Sequence, residues 1–328
     1  MFAKSPDGCD RSSIPAAATY RHLVYGLAIE SAFPLESVVE VPDITTPPAI
    51  RVMLGSPDYF RCQKQGLVAD PDDWIEHVVL ADGSVYMRIE GIFETVVAAD
   101  GCSVVCAPLG EVDQKSFEAN LLNFVLTAAL TLRGEEPLHA TVLDLEGCAV
   151  GLLGPSGAGK STLAAKLIEK GADLITDDML RLTFTDGRAV AHYGPHRLKL
   201  LDEPARLLMP RAMAAGHFNV LSGKIMVRPR SIAAIRRAPR PLSALFWLGA
   251  SPPVSNDVTI ERLAGVELVR ALTASAMNIR YHAPDRLTRQ LHFAERVSKT
   301  LPVLSLAYAR RYELLDRVAA EIRGVVAG

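Results

Sequence analysis

The chain has 328 residues, 49% of them hydrophobic and 22% charged, with 35 basic residues against 37 acidic ones and a net charge of −2. That balance supports a substantial core in one large domain or two, and it excludes bulk binding to nucleic acid or to a membrane surface. The five cysteines (Cys9, Cys62, Cys102, Cys106, Cys148) are odd in number, scattered and free of any Cys-x-x-Cys pair, so reduced thiols in a cytoplasmic protein are expected.

Taken in order, Met1 to Gly8 lacks the apolar core of a signal peptide, and residues 1–20 are expected to form a mobile tail. Residues 21–110 read as a small, mainly β domain, mostly antiparallel. Leu23 to Ile29 reads as one apolar strand, and Ile50 to Leu54 as another. Two hairpins follow, one around Asp82-Gly83 and one around Asp100-Gly101, each flanked by β-branched and apolar runs. No catalytic constellation occurs here, so the domain's role is structural or the docking of a partner. Residues 111–133 form a connecting helix, with Phe117 to Leu132 as its body. Asn120 and Asn123 interrupt it, and it is too short to span a membrane comfortably.

Residues 134–328 read as the catalytic domain. Pro137 to Leu145 is a strand with His139 at its start, Glu146-Gly147 is a turn, and Cys148 to Leu153 is a buried strand. The next residues, Gly154-Pro155-Ser156-Gly157-Ala158-Gly159-Lys160-Ser161, fit Gly-x-x-x-x-Gly-Lys-[Ser/Thr], and Thr162 follows. This is the phosphate-binding P-loop. Its glycines let several backbone N–H groups converge on phosphate oxygens. Lys160 adds a charge for the outer phosphates, Ser161 offers a hydroxyl to Mg²⁺, and the helix that begins there presents its positive end. That helix consists of good helix formers and closes at Gly171. A chance Gly-rich turn before Lys-Ser would not need this strand–loop–helix setting.

Ala172 to Thr176 is a second apolar run, and it leads directly into Asp177-Asp178. One helix and one strand separate this pair from Lys160. The carboxylates can thus lie beside the loop, one supporting Mg²⁺ and the other accepting a proton from an attacking hydroxyl. Which carboxylate does which is open. Surface turn acids are the bland alternative. A lone histidine is more often structural than chemical, but His139 lies one hairpin away from the phosphates. Downstream, Lys199, Lys224, Arg228 and Arg230 sit in donor-rich segments and are candidates for the further cations that a phosphoryl-transfer site needs. A hairpin around Asp186-Gly187, a buried strand over Pro241 to Leu248 and a short strand over Val303 to Leu306 are expected. Helical periodicity covers Glu261 to Met277, Asp285 to Lys299 and Arg310 to Val325.

The sequence Leu138-His139-Ala140, the P-loop over Gly154 to Ser161 and the run Asp173-Leu-Ile-Thr-Asp177-Asp178 together resemble the core of HPr kinase/phosphorylase. The resemblance covers about residues 134–182. It implies an α/β fold with a P-loop kinase core of the HPr kinase / phosphoenolpyruvate carboxykinase type, with His139, Lys160, Asp177 and Asp178 as catalytic residues. It also implies ATP and Mg²⁺ as cofactors, Ser161 and Asp178 as metal ligands, and a homo-oligomer. A looser pattern through Lys199, Lys224 and Pro241 to Leu248 resembles the HPr-kinase-like proteins that tailor ribosomal peptides, including lasso-peptide kinases. The Gly-Leu-Gly-Ile-Ile signature of true HPr kinases is absent downstream of the paired Asp. The expected activity is therefore phosphorylation of a Ser on a precursor peptide, with an HPr-like carrier protein as the alternative acceptor. Two further classes compete: a P-loop ATPase doing mechanical or transport work, and a nucleotide-binding regulator. Leu221-Ser-Gly-Lys224 departs from the Leu-Ser-Gly-Gly-Gln signature that the first would need, and intact Lys160, Ser161, Asp177 and Asp178 speak against the second.

Overall fold

The computed structural model describes residues 19–67, 75–229, 238–249, 255–278, 281 and 284–327. Arg230 and all but the last two residues of the expected tail lie outside the described residues. The chain separates into two compact units, one of Met1–Leu23, Leu27–Glu36 and Glu40–Arg133, the other of Val24–Gly26, Ser37–Val39 and Gly134–Gly328. Among the described residues, no helix is long and apolar enough to cross a membrane.

The first unit carries β1 (Tyr20–Val24), β2 (Leu27–Ser31), β3 (Val39–Glu40), β4 (Ile50–Leu54), α1 (Pro57–Gln63), β5 (Glu76–Val79), β6 (Val85–Ile89), β7 (Phe93–Val97) and β8 (Ser103–Pro108). The strands form one sheet in the order β3-β1-β2-β4-β8-β7-β6-β5. The expected single strand over Leu23 to Ile29 is two strands. Tyr25 and Gly26 both take positive φ, 54° and 71°, and turn the chain between them. Both sides of that turn are buried, so the run looks uniformly apolar in sequence. The sheet is mixed: β4 runs parallel to both β2 and β8, and β5 to β8 pair antiparallel. Turn residues reveal hairpin neighbours, whereas parallel pairs join strands that are distant in sequence.

α2 (Gln114–Asn120) starts at Asp113, whose carboxylate accepts from the Ser116 N–H at 2.9 Å. The expected continuous helix is broken by a π-helical turn over Leu121–Val125 before α3 (Leu126–Leu132). Gly101 in the β7–β8 turn abuts α3 so closely that a Cβ there would lie 2.3 Å from the Ala129 carbonyl.

The second unit contains β9 (Ala140–Leu145), β10 (Cys148–Leu153), α4 (Lys160–Glu169), β11 (Asp173–Thr176), β12 (Leu182–Thr185), β13 (Arg188–Ala191), β14 (Leu198–Leu200), α5 (Asp202–Leu208) and α6 (Pro210–Ala214). It continues with β15 (His217–Asn219), β16 (Lys224–Val227), β17 (Arg240–Trp247), β18 (Thr259–Arg262), α7 (Gly265–Ser275), α8 (Pro284–Thr300), β19 (Val303–Ala307) and α9 (Leu315–Ala327). The main sheet runs β11-β9-β10-β17-β13-β12, with β19 beside β17 and β18 beside β19. β10, β17 and β19 are parallel, and β9 is antiparallel to β10 and β11. A separate antiparallel sheet has the order β14-β16-β15.

Burial on both faces explains why β10 and β17 read as continuous apolar runs rather than alternating ones. Val150, Leu152 and Phe246 pack with Leu163 and Leu167 of α4 and with Val318 and Ile322 of α9. On the other face, Ala149, Leu153 and Leu245 pack with Leu268 and Leu272 of α7 and with Val297 of α8. Two expected helices start later than their periodicity suggests. Residues 259–262 form β18 ahead of α7, and Tyr312–Leu314 is a 3₁₀ turn ahead of α9. Arg310 therefore lies in the loop that leaves β19, outside the helix assigned to it from sequence.

Candidate active site

β10 delivers the chain to the Gly-rich loop, and α4 receives it at Lys160. Gly154, Gly157 and Gly159 take φ values of 144°, 80° and 91°. Side chains rarely adopt that region, so the loop's shape depends on glycine there. Gly159 caps α4 in the left-handed conformation and has no side chain to satisfy the first-turn N–H groups. Those donors and the helix end make an anion cradle. Lys160 is 6% exposed, and its Nζ donates to the carbonyls of Gly154 at 2.6 Å and Pro155 at 3.0 Å. Burial pushes its ammonium down to about 8, with Lys224 adding to the effect against the opposing pull of Asp177 and Asp178. Pro155, Ser156 and Gly157 are exposed, Ala158 is buried, and Ser161 and Thr162 are half-buried on the first turn of α4.

β11 ends at Thr176, so both aspartates lie just past the strand. Asp178 takes a φ of 68°, an uncommon conformation for any residue but glycine. The turn is pinned by the Met179 N–H donating to the Asp177 carbonyl and by the Thr176 hydroxyl donating to the Met179 carbonyl. The two carboxylates acquire opposite characters. Asp177 accepts from the Thr141 hydroxyl at 2.7 Å and from the Lys199 N–H at 2.9 Å. Burial, reinforced by the neighbouring Asp178, pushes its carboxyl up to about 6. Asp178 pairs with the Lys199 ammonium at 2.7 Å. Burial alone would raise its carboxyl, but Lys199 and then His139 override that and hold it well below the usual carboxylate range.

His139 sits directly ahead of β9, with Nδ1 2.9 Å from the Asp178 carbonyl. Its N–H donates to the Ser275 carbonyl at 2.6 Å. Burial and then Lys160 keep the ring below its ordinary value, which favours the neutral form. Asp177, Asp178, Lys160 and His139 thus share one electrostatic neighbourhood. Of the four candidate cations, Lys199 is buried in this cluster, and Lys224 at the start of β16 acts on both His139 and Lys160. Arg228 is exposed just after β16, and Arg230 falls outside the described residues.

Three contributors were not singled out from sequence. Thr141 anchors Asp177 from β9, and only pairing with β10 and β11 reveals it. Arg197 is 8% exposed, donates to the Ser37 hydroxyl at 2.7 Å and helps hold Asp178 ionised. The third is Arg310, whose guanidinium donates to the Leu248 carbonyl at 2.9 Å. Arg197 lies in the same donor-rich segment as Lys199, whereas Thr141 and Arg310 come from stretches whose local pattern carries no chemical signal.

Chemically, the cluster offers a cradle of N–H donors, a lysine in it, an ionised carboxylate and a second carboxylate near neutrality. Among the described residues, no group of three or more His, Cys, Asp or Glu side chains forms a metal cage. A metal shared with bound phosphates needs only one or two protein oxygens, and the Ser161 hydroxyl with the Asp178 carboxylate is a donor set of that kind.

A mixed α/β unit with a Gly-rich loop between a parallel strand and a helix is what the fold and site define. Comparison with known proteins narrows this. The family model for the HPr Serine kinase C-terminal domain matches residues 131–202. HPr kinase/phosphorylase of Clostridium botulinum (strain Eklund 17B / Type B) is 36% identical over 77 residues, covering 23% of this chain and 25% of that protein. HPr kinase/phosphorylase of Limosilactobacillus reuteri (strain DSM 20016) is 32% identical over 85 residues, 26% of each chain. The matches thus span about a quarter of the length of these curated relatives. The structure of the Hpr(Ser) kinase/phosphatase from Coxiella burnetii aligns with a TM-score of 0.30 and 11% identity, over 57% of this chain and 94% of that one. The chain is HPr kinase-like through the segment that carries the Gly-rich loop and the paired aspartates.

Proposed function

We propose that the chain is an ATP-dependent serine kinase, moving the γ-phosphoryl group of ATP to a Ser hydroxyl of a peptide or small protein. One observation carries the reading: two adjacent carboxylates of opposite character share a site with a P-loop lysine. The loop N–H groups and Lys160 hold the phosphates. Ser161 and Asp178 hold Mg²⁺, which when bound neutralises phosphate charge. Asp177, pushed up to about 6, is close enough to neutrality to serve as general base at physiological pH. It takes the Ser proton as the oxygen–phosphorus bond forms, and the bond to the β-phosphate oxygen breaks to release ADP. His139 fixes the turn through the Asp178 carbonyl, and Lys199 keeps Asp178 ionised.

For the acceptor, the resemblance to peptide-tailoring kinases and the absence of the downstream Gly-Leu-Gly-Ile-Ile signature favour a ribosomal precursor peptide, lasso-type included. The names of the relatives above favour a second reading, an HPr-like carrier protein. In both cases the β domain of residues 21–110 captures the acceptor, and residues 111–133 connect it to the kinase domain of residues 134–328. The test is mass spectrometry of candidate acceptors after incubation with Mg-ATP. Wild-type protein should add a phosphate to Ser. Asp177→Asn should abolish transfer with little loss of ATP affinity, and transfer at the wild-type rate by that variant would refute the mechanism.

A further inference from the structure

The parallel strands β10, β17 and β19 end side by side, and their ends are linked. The Leu248 N–H, just past β17, donates to the Leu153 carbonyl at the end of β10, at 2.9 Å. The Leu248 carbonyl in turn accepts from Arg310 Nη2 at 2.9 Å, past the end of β19. The Arg310 guanidinium lies 4.8 Å from the centroid of the Tyr308 ring. Tyr308 is 2% exposed, whereas Arg310 above it is exposed. This assembly borders the anion cradle, because a Cβ on Gly159 would lie 3.3 Å from Arg310 Nη1 and 3.6 Å from the Tyr308 hydroxyl. Open α/β sheets bind ligands outside the carboxyl ends of their parallel strands. The guanidinium at the rim of the cradle is within reach of the nucleoside of a nucleotide whose phosphates occupy the loop.

We infer that Arg310, backed by Tyr308, is the platform on which the nucleobase of the bound nucleotide stacks. The guanidinium donates to the Leu248 carbonyl and lies over the Tyr308 ring. What it offers a ligand is its planar face, and arginine planes stack well on aromatic rings. A lysine could supply the charge but not the plane. Arg310 is thus a binding-specificity residue for the nucleoside half, distinct from the loop that grips the phosphates.

This inference rests on the nucleotide reading above, and the experiment separates the two. Calorimetry would measure binding of Mg-ATP and of Mg-tripolyphosphate to the full chain and to Arg310→Ala and Arg310→Lys. Both variants should bind ATP about tenfold or more weakly, the loss expected for one base stack, and bind tripolyphosphate as the wild type does. Unchanged tripolyphosphate binding also reports an intact cradle. Equal weakening of both ligands in Arg310→Ala would make Arg310 a support of the cradle and overturn the platform. Should that variant fail to fold, Arg310→Lys decides: wild-type ATP affinity there would overturn it, because charge alone would suffice. Wild-type protein that binds both ligands with equal affinity would sink only this inference. Wild-type protein that binds neither would sink the nucleotide reading with it.

Discussion

Replacing Lys199 by Met tests the electrostatics at the centre of the site. The ammonium lies 2.7 Å from the Asp178 carboxylate, with side chains only 8% and 15% exposed. Met keeps the length and removes the charge, while the Lys199 N–H still reaches Asp177. Removing one partner of a buried pair costs about 3–5 kcal/mol, since the other is left uncompensated. For a unit of this size that is roughly 6–20 °C in Tm. The pH dependence has a definite sign. Asp178 is held below its ordinary value of 3.8 in the folded protein. The pair's contribution is therefore fully present above that value and fades as pH falls below it. Thermal melts of wild type and Lys199→Met at neutral pH and at about pH 3, below the ordinary carboxylate value, would measure both effects. Adding Asp178→Asn should restore much of the lost stability, because no buried charge then remains unpaired. A variant that melts within about 1 °C of wild type at neutral pH would refute the reasoning. So would a deficit that grows on acidification.

Two further outcomes follow from the same geometry. Phosphoryl transfer should fall as pH drops below about 6, where Asp177 binds a proton and can no longer act as base, and should level off above it; initial rates across that range check this, and a rate that rises on acidification would contradict it. Gly159→Ala, at φ 91° with Arg310 Nη1 3.3 Å from the new Cβ, should lose about 1–2 kcal/mol from the left-handed conformation alone. It should also lose the thermal shift of about 2.7 kcal/mol that saturating Mg-ATP at a hundred times its Kd gives the wild type, as read by melting with and without ligand.

Sequence by itself determined the local machinery. Gly154 to Thr162 must turn tightly between an apolar run and a helix, because glycine recurs where positive φ is needed and a helix-forming segment follows. The hairpins at Asp82-Gly83, Asp100-Gly101 and Asp186-Gly187 were legible for the same reason: the turn chemistry lies within a few residues. The juxtaposition of Asp177 and Asp178 with Lys160 was also readable, since one helix and one strand leave few routes back to the loop. What only the tertiary structure decided depends on partners far away in the chain. The parallel pairing of β4 with β2 and β8 leaves no turn signature. The opposite characters of Asp177 and Asp178 come from Thr141, Lys199 and burial, and adjacent, identical residues look alike in sequence. Arg310 reads as the start of a helix until the 3₁₀ turn over Tyr312–Leu314 delays α9 and leaves it beside the Gly-rich loop. Local propensity acts over a few residues. Charge and burial act through space, and which residues share that space is decided only when the sheet assembles.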